Sequence, residues 1–516
     1  MADDASSLTA ASPPVASLLR PGVTCWRVEQ ADRLALFIDN DEAFDALKSI
    51  LLSAKKSIWI LAWVFDPLTR LDPDRVRKSR DPQHVDRIGL LLRRQAALNP
   101  ALDVRILVWD MPLPIAASQL FGPQRGQVFF AGSRVKYHLD NTLPASACHH
   151  QKVVVVDGSV ALVSGGDIGV DRWDTTQHLD NDPRRRLPTG HHYPARHEVA
   201  AMVDGKAAEA LGDLFIARWE RSTGQALERS DKPEETPWPD HLIPDLRNAP
   251  LAICRTQPPW KGDPEINETM LMHLASIKAA RRLIYLENQY LTSPIIVEAL
   301  ADRLAEPDGP EVVTVGPAHS PSYFDQITMD SARTSAINRL REIDVHNRFS
   351  AFSAKTPKGA AIIVHSKVAI MDDRMLRLGS ANLNNRSIGL DTECDIAFEG
   401  VDETSRAAVR AFLGRLIGHF LDHETAHVLE TYDRLGGLAA TINELDRRGG
   451  LPRRLAPVPI RTLTGVQQFI ADWSLGDAIS PSDAWRPWGR RKRLKRELHR
   501  LMDDHPSPIL PDHLQD

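Results

Sequence analysis

Two stretches of this chain carry the same landmarks at the same intervals, and that repetition constrains the fold more than any other feature. "HHQKVVVVDGSVALVSGGDIG" (149 to 169) aligns with "VHSKVAIMDDRMLRLGSANLN" (364 to 384), so that His150, Lys152 and Asp157 correspond to His365, Lys367 and Asp372. Seven residues beyond each aspartate comes a small pair, Ser164-Gly165 in one copy and Gly379-Ser380 in the other. Ten residues beyond, Asp167 stands opposite Asn382. Further on, Glu198 and Gly205 match Glu393 and Gly400, each followed by a stretch of helical period. Upstream, "SIWILAWVF" with "VRILVWD" parallels "LIYLENQYL" with "EVVTVGP", short β-rich runs separated by helical patterns. The chain therefore reads as two copies of one α/β unit.

The repeat sets the expected organisation. Residues 1–17 read as a disordered tail, 18–229 as the first lobe, 230–250 as a Pro- and acid-rich linker. The second lobe follows over 251–425 and a helical segment over 426–516. The first copy carries an insertion, 174–196, a candidate substrate-facing loop. At 516 residues, 42% hydrophobic and 25% charged, the chain has the composition of an ordinary globular protein of more than one domain. A net charge of -5 argues against a protein that coats nucleic acid through its overall field. The acidic, polar start is unlike a secretory leader, and no apolar run approaches the roughly 20 residues of a membrane span. The reading is a cytoplasmic chain without a transmembrane segment.

On a strand, residues two apart share a face, so each histidine projects with its lysine while Gln151 and Ser366 point away. A neutral imidazole can attack phosphorus, a second can protonate the leaving alcohol, and two ammonium groups can offset the charge of the phosphoryl oxygens. Packed about a pseudo-two-fold axis, the two copies supply that set without a metal. Glu198 and Glu393 are candidates to orient the second ring nitrogen of each histidine, whether of their own copy or of the other. Gly165, Gly166, Asp167, Ser380 and Asn382, with the backbone amides of their loops, are candidate substrate-site residues, Asp167 as an acceptor expected to orient a lysine or histidine rather than to touch phosphate directly. A single H-x-K-x4-D occurs by chance in roughly a few hundredths of chains of this length. Two with identical downstream spacing do not read as coincidence.

These residues resemble the duplicated H-x-K-x4-D signature of the phospholipase D superfamily, and "GGDIGVDRWDT" and "IYLENQYL" look like its phosphatidyl-hydrolysing and -transferring branch. The resemblance implies two pseudo-symmetric α/β/α lobes with the active site between them. It implies His150 as nucleophile, His365 as general acid, Lys152 and Lys367 as phosphate ligands, and a structural role for Asp157 and Asp372. The implied substrate is a glycerophospholipid, cleaved to phosphatidic acid plus alcohol through a phosphohistidine, with no metal and no cofactor. The alternatives are a cardiolipin- or phosphatidylserine-synthase-like transferase and a nuclease. The first copy departs from the pattern by reading Ser-Gly-Gly-Asp in place of Gly-Ser-x-Asn.

Two further features carry expectations. His191, His192 and His197 lie near Cys148-His149-His150 in the repeat, but their spacing fits no compact metal-ligand set. His149, by alternation, faces away from His150. The stretch 484–500, with Trp485, Trp488 and a dense run of Arg and Lys, is a candidate peripheral contact with the inner, anionic face of a membrane.

Overall fold

The computed structural model describes residues 16–73, 86–229, 233–447 and 449–484. The basic segment 485–500 and most of the expected tail, 1–15, lie outside the described residues.

The first repeat forms eight strands: β1 (Arg27–Ile38), β2 (Ser57–Ala62), β3 (Asp103–Trp109), β4 (Lys136–Asp140), β5 (Val153–Val156), β6 (Val160–Ser164), β7 (Arg196–His197) and β8 (Val199–Asp204). The second forms β9 (Leu246–Gln257), β10 (Ile266–Asn267), β11 (Leu283–Asn288), β12 (Glu311–Gly316), β13 (Phe349–Ala354), β14 (Ile363–Val364), β15 (Lys367–Met371), β16 (Met375–Gly379) and β17 (Glu393–Glu399). A last strand, β18 (Leu455–Pro457), edges the second lobe. All but β7 and β14 join one sixteen-stranded sheet, ordered β18-β13-β12-β11-β15-β16-β17-β9-β1-β8-β6-β5-β2-β3-β4, with β10 on β9. The order mirrors itself about the antiparallel β1–β9 pair, and each parallel trio on one side (β2, β3, β4) has its counterpart on the other (β11, β12, β13).

Alternation along the strands builds the three main cores of the described residues. Trp59, Leu61, Val153 and Val155 face the same side as Tyr285, Val368 and Ile370, forming one apolar layer that runs under both lobes beneath helices Gly205–Thr223 and Glu403–Leu421. Trp59 stacks on Phe215 there at 5.3 Å. On the opposite face the lobes have separate cores, Ile58, Ile60 and Val154 in one and Ile284, Leu286 and Ala369 in the other. Strands such as β2, buried along its whole length, are apolar without alternation because both faces are covered.

Three expected boundaries shift. Leu246–Pro250, assigned to the linker, already runs in β9 and pairs with β1, so the join between the lobes is itself sheet. Ala16 and Ser17, assigned to the tail, are held by Arg374 and Glu399 at 2.7 and 2.6 Å. The segment after 425 is not purely helical, since β18 extends the sheet beyond β13. Among the described residues no helix is long and apolar enough to cross a membrane.

Candidate active site

Each histidine-lysine pair sits where the chain enters the first strand of its motif, just before β5 and at the start of β15. Lys152 and Lys367 fold back so that Nζ donates to the carbonyl of the histidine two residues earlier, at 2.8 and 2.6 Å. Gln151 and Ser366 turn the other way, to the carbonyl of Glu393 and the carboxylate of Glu287. His149 also faces inward, 3.0 Å from Asp140 and fully buried. The lysines are 4% and 1% exposed, whereas the two imidazoles reach solvent with 14% and 12% of their side-chain surface.

The glutamates pair crosswise. His150 Nδ1 lies 2.9 and 3.0 Å from the two carboxylate oxygens of Glu393, in the other lobe. His365 Nδ1 lies 3.1 Å from Glu198 Oε2, again across the boundary. Short parallel bridges deliver this exchange: His149 pairs with Thr392 directly before Glu393, and Val364 with His197 directly before Glu198. Both glutamates are at most 1% exposed. Gly166 leaves room for Glu198, since a β-carbon there would displace its carboxylate.

The electrostatics are those of a site preset for an anion. Burial and the neighbouring Lys152 and Lys367 hold the His150 imidazole well below its usual range, so it is neutral and able to attack. Burial, Lys367 and the guanidiniums of Arg196 and Arg172 do the same to His365. Burial lowers Lys367 to about 7 and raises Glu393 to about 7. A bound phosphodiester adds negative charge, which stabilises both ammonium groups and allows an imidazole to take a proton.

Asp157 and Asp372 stand apart from the histidines. Asp157 accepts from the backbone amides of Lys55, Lys56 and Ser57, and Asp372 from those of Arg281, Arg282 and Leu283. Each carboxylate thereby caps the start of β2 or β11, from a backbone at positive φ (52° and 57°).

The candidate substrate contacts need correction. Ser380 Oγ, fully buried, donates to Glu393 Oε2 at 2.5 Å, so it orients that carboxylate and has no proton left for phosphate. Asp167 accepts from the amides of Trp63 and Val64 at 3.0 Å and lies 3.3 Å from Lys152 Nζ, holding the lysine in place. The amides of Gly165 and Gly166 are committed to Val199 O and Ser164 Oγ. Asn382 keeps a buried side-chain oxygen without a protein partner. The insertion turns its buried polar side chains inward, and its Asp180 accepts from Thr356 of the second lobe at 2.6 Å.

Sequence reasoning missed the buried Arg172 and Arg196. Arg196 Nη1 is 3.7 Å from Glu198 Oε1, and Asp171 bridges the two guanidiniums at 3.0 and 3.2 Å. The position of Arg196, two before Glu198, was a usable signal by the same alternation that joined His150 to Lys152. Trp63, whose ring lies edge-to-face with His150 at a centroid separation of 6.1 Å and which stacks on Trp109, was also missed.

The chain is similar to several known proteins. Residues 274–413 match the family model described as cardiolipin synthase, PLD-like domain. Phospholipase D A of Dictyostelium discoideum is 24% identical over 444 residues, covering 73% of this chain and 34% of that protein. Cardiolipin synthase A of Pseudomonas putida (strain W619) is 22% identical, covering 70% and 64%. The chain thus spans from about a third to under two thirds of the length of these curated relatives. A phosphatidylserine synthase of Haemophilus influenzae Rd KW20 superposes with a TM-score of 0.50 at 14% identity, over 82% of this chain and 97% of that one, a likeness of fold. Residues 274–413 are thus similar to a PLD-like domain, and the chain as a whole is similar to proteins of the phospholipase D superfamily. These relatives include proteins named as phospholipases D and as cardiolipin synthases.

Proposed function

We propose that the protein cleaves or transfers the phosphatidyl group of glycerophospholipids in two steps at the lobe boundary. His150 Nε2 attacks phosphorus while His365, protonated on substrate binding, gives its proton to the departing alkoxide, leaving a phosphohistidine and free alcohol. His365, now neutral, takes a proton from the acceptor, whose oxygen displaces His150 from phosphorus. Water as acceptor yields phosphatidic acid, and an alcohol yields a new diester. Lys152 and Lys367 stabilise charge on the nonbridging oxygens, and Glu393 and Glu198 stabilise the imidazolium-like states of their partner histidines.

The observation that carries this reading is the crossed pair of His–Glu contacts, each with its lysine, at one boundary. A lipid substrate is supported by the surface beside it. The chain leaves β3 at Trp109 and runs into helix Leu113–Ser118, around which Leu113, Ile115, Leu120 and Phe121 are exposed. After β12, the counterpart of β3, helix Tyr323–Ile343 exposes Phe324 and Ile327 in its first turns. Apolar rims of this kind on both lobes suit an acyl-chain surface better than a phosphate backbone.

The test is to incubate the purified protein with mixed phospholipid vesicles and a primary alcohol, scoring phosphatidic acid and phosphatidyl-alcohol by mass. Both products are expected from the wild type and neither from His150→Ala or His365→Ala. Absence of both lipids alongside cleavage of nucleic acid overturns the reading.

A further inference from the structure

Behind the reacting pair lies a second cluster of imidazole and carboxylate groups. Asp39, His178, His197 and His419 each offer one ligand atom, and these atoms all lie within 4.8 Å of one another. They come from both halves of the chain: Asp39 follows β1, His178 lies in the insertion, His197 ends β7, and His419 is on helix Glu403–Leu421 of the second lobe. Asp39 and His178 are at most 1% exposed, and Asp39 Oδ2 and His178 Nε2 face each other at 3.2 Å as an ion pair that lacks strict hydrogen-bond geometry. Both ring nitrogens of His419 are buried with no hydrogen-bond partner. Buried polar atoms without a hydrogen bond are costly, and several converging on one point call for a shared partner.

The far side of each group is already oriented. His178 Nδ1 is 3.1 Å from Asp174, itself held by Arg185 at 2.9 Å, and Asp39 Oδ1 is 2.9 Å from His197 Nδ1. His197 Nε2 in turn lies 2.5 Å from Glu287, so both its nitrogens are engaged and it serves to hold Asp39. An imidazole anchored on a carboxylate through one nitrogen and free of a hydrogen bond at the other is the arrangement of a metal ligand. Asp39 and His178 also hold positive φ (69° and 45°), a backbone region that is uncommon outside glycine.

We propose that Asp39, His178 and His419 bind one divalent transition-metal ion, zinc being the best match to two imidazoles and a carboxylate, and that it ties the two lobes together behind the reacting histidines. Donors about 2.0–2.2 Å from zinc in tetrahedral geometry lie about 3.3–3.6 Å from one another. Side-chain rotation brings atoms already within 4.8 Å to that spacing. Access is provided by the cavity of about 750 Å³ that His419 lines together with Asp422 and His423, and which borders neither histidine-lysine motif. Solvent from that cavity completes the coordination. The clamp reaches the active site through a short chain: His197 to Glu287, Glu287 to Ser366, the residue between His365 and Lys367. Its role is structural, and the phosphoryl chemistry proceeds without it in the reacting pair.

The experiment uses full-length protein without a histidine tag, expressed with added zinc, desalted and assayed for metal by mass spectrometry. Stripped protein is then titrated with Co²⁺ and followed by its visible d–d absorption. One equivalent of zinc per chain is expected, with Co²⁺ binding abolished in His178→Gln and weakened about 10–100-fold in Asp174→Asn. His419→Gln provides a second variant that breaks no side-chain hydrogen bond, and it too is expected to lose Co²⁺. The exposed pair His191→Gln/His192→Gln is expected to bind as the wild type does. Substoichiometric zinc in the wild type, or Co²⁺ binding unchanged in both His178→Gln and His419→Gln, overturns the proposal.

Discussion

Glu393→Gln removes one charge from the proposed site while keeping its shape. The wild-type carboxylate stands 2.9 Å from His150 Nδ1, without exposed surface, and receives the Ser380 hydroxyl. At an effective dielectric constant of about 20, opposite unit charges at that separation attract by about 6 kcal/mol, which bounds what the glutamate adds as His150 gains positive character. That corresponds to about four powers of ten in rate. Burial raises the Glu393 carboxyl to about 7, so near neutral pH part of the wild-type protein already lacks the charge, which trims the difference. The glutamine can also present its amide to Nδ1 and favour the wrong tautomer, which acts in the opposite sense. The net expectation is a fall of about 10³–10⁴-fold in kcat, with little change in vesicle binding. The assay is rapid-quench head-group release under single-turnover conditions, with the phosphohistidine at His150 sought by peptide mass. A loss below about tenfold would refute the claim that the cross-lobe carboxylate supports the nucleophile.

The same groups set a pH profile. Protonation of Glu393 as pH falls through about 7 withdraws the acceptor from His150, and deprotonation of Lys367 as pH rises through about 7 removes a phosphate ligand. A narrow bell in kcat/KM centred near neutrality is therefore expected, its acid limb missing in Glu393→Gln; a flat profile from pH 5 to 9 excludes these assignments. Asp157→Ala strips a carboxylate from the amides of Lys55, Lys56 and Ser57 and is expected to cost about 2–4 kcal/mol in denaturant unfolding. A loss below about 0.5 kcal/mol argues against its capping role. Phe121→Asp with Phe324→Asp is expected to reduce vesicle binding by at least about tenfold, at about 1.5–3 kcal/mol per lost apolar side chain. Hydrolysis of a soluble short-chain phospholipid should be preserved, and equal loss on both substrates points instead to a folding defect.

Much of this architecture is legible in the chain because duplication is a periodic signal. The spacing from His150 to Asp157 recurs from His365 to Asp372, and alternation places each lysine on the face of its histidine. What alternation cannot report is which copy completes which site. Glu393 is 243 residues from His150, and the bridge between His149 and Thr392 that brings them together leaves no periodic mark. The Ser380 hydroxyl looked available for phosphate because a small polar residue in a tight loop reads the same whether it faces the ligand or a buried carboxylate. Leu246–Pro250 looked like linker because Pro250 and Asn248 are turn residues, yet pairing with β1 outweighs their local preference. His178 and His419 gave no signal in the sequence at all, being 241 positions apart with nothing but the fold to join them.

The crossed glutamates also bear on when the chain becomes reactive during its own synthesis. A nascent first lobe can carry His150 and Lys152 in place, but the carboxylate that orients the imidazole belongs to β17 and arrives only after nearly four hundred residues have emerged. The second motif has the converse requirement, since Glu198 is already present but His365 has yet to dock against it. Chemical competence thus awaits closure of the β1–β9 seam, and an abandoned or proteolysed half carries an unassisted histidine. A chain built this way completes its two proposed catalytic pairs only when folding is complete.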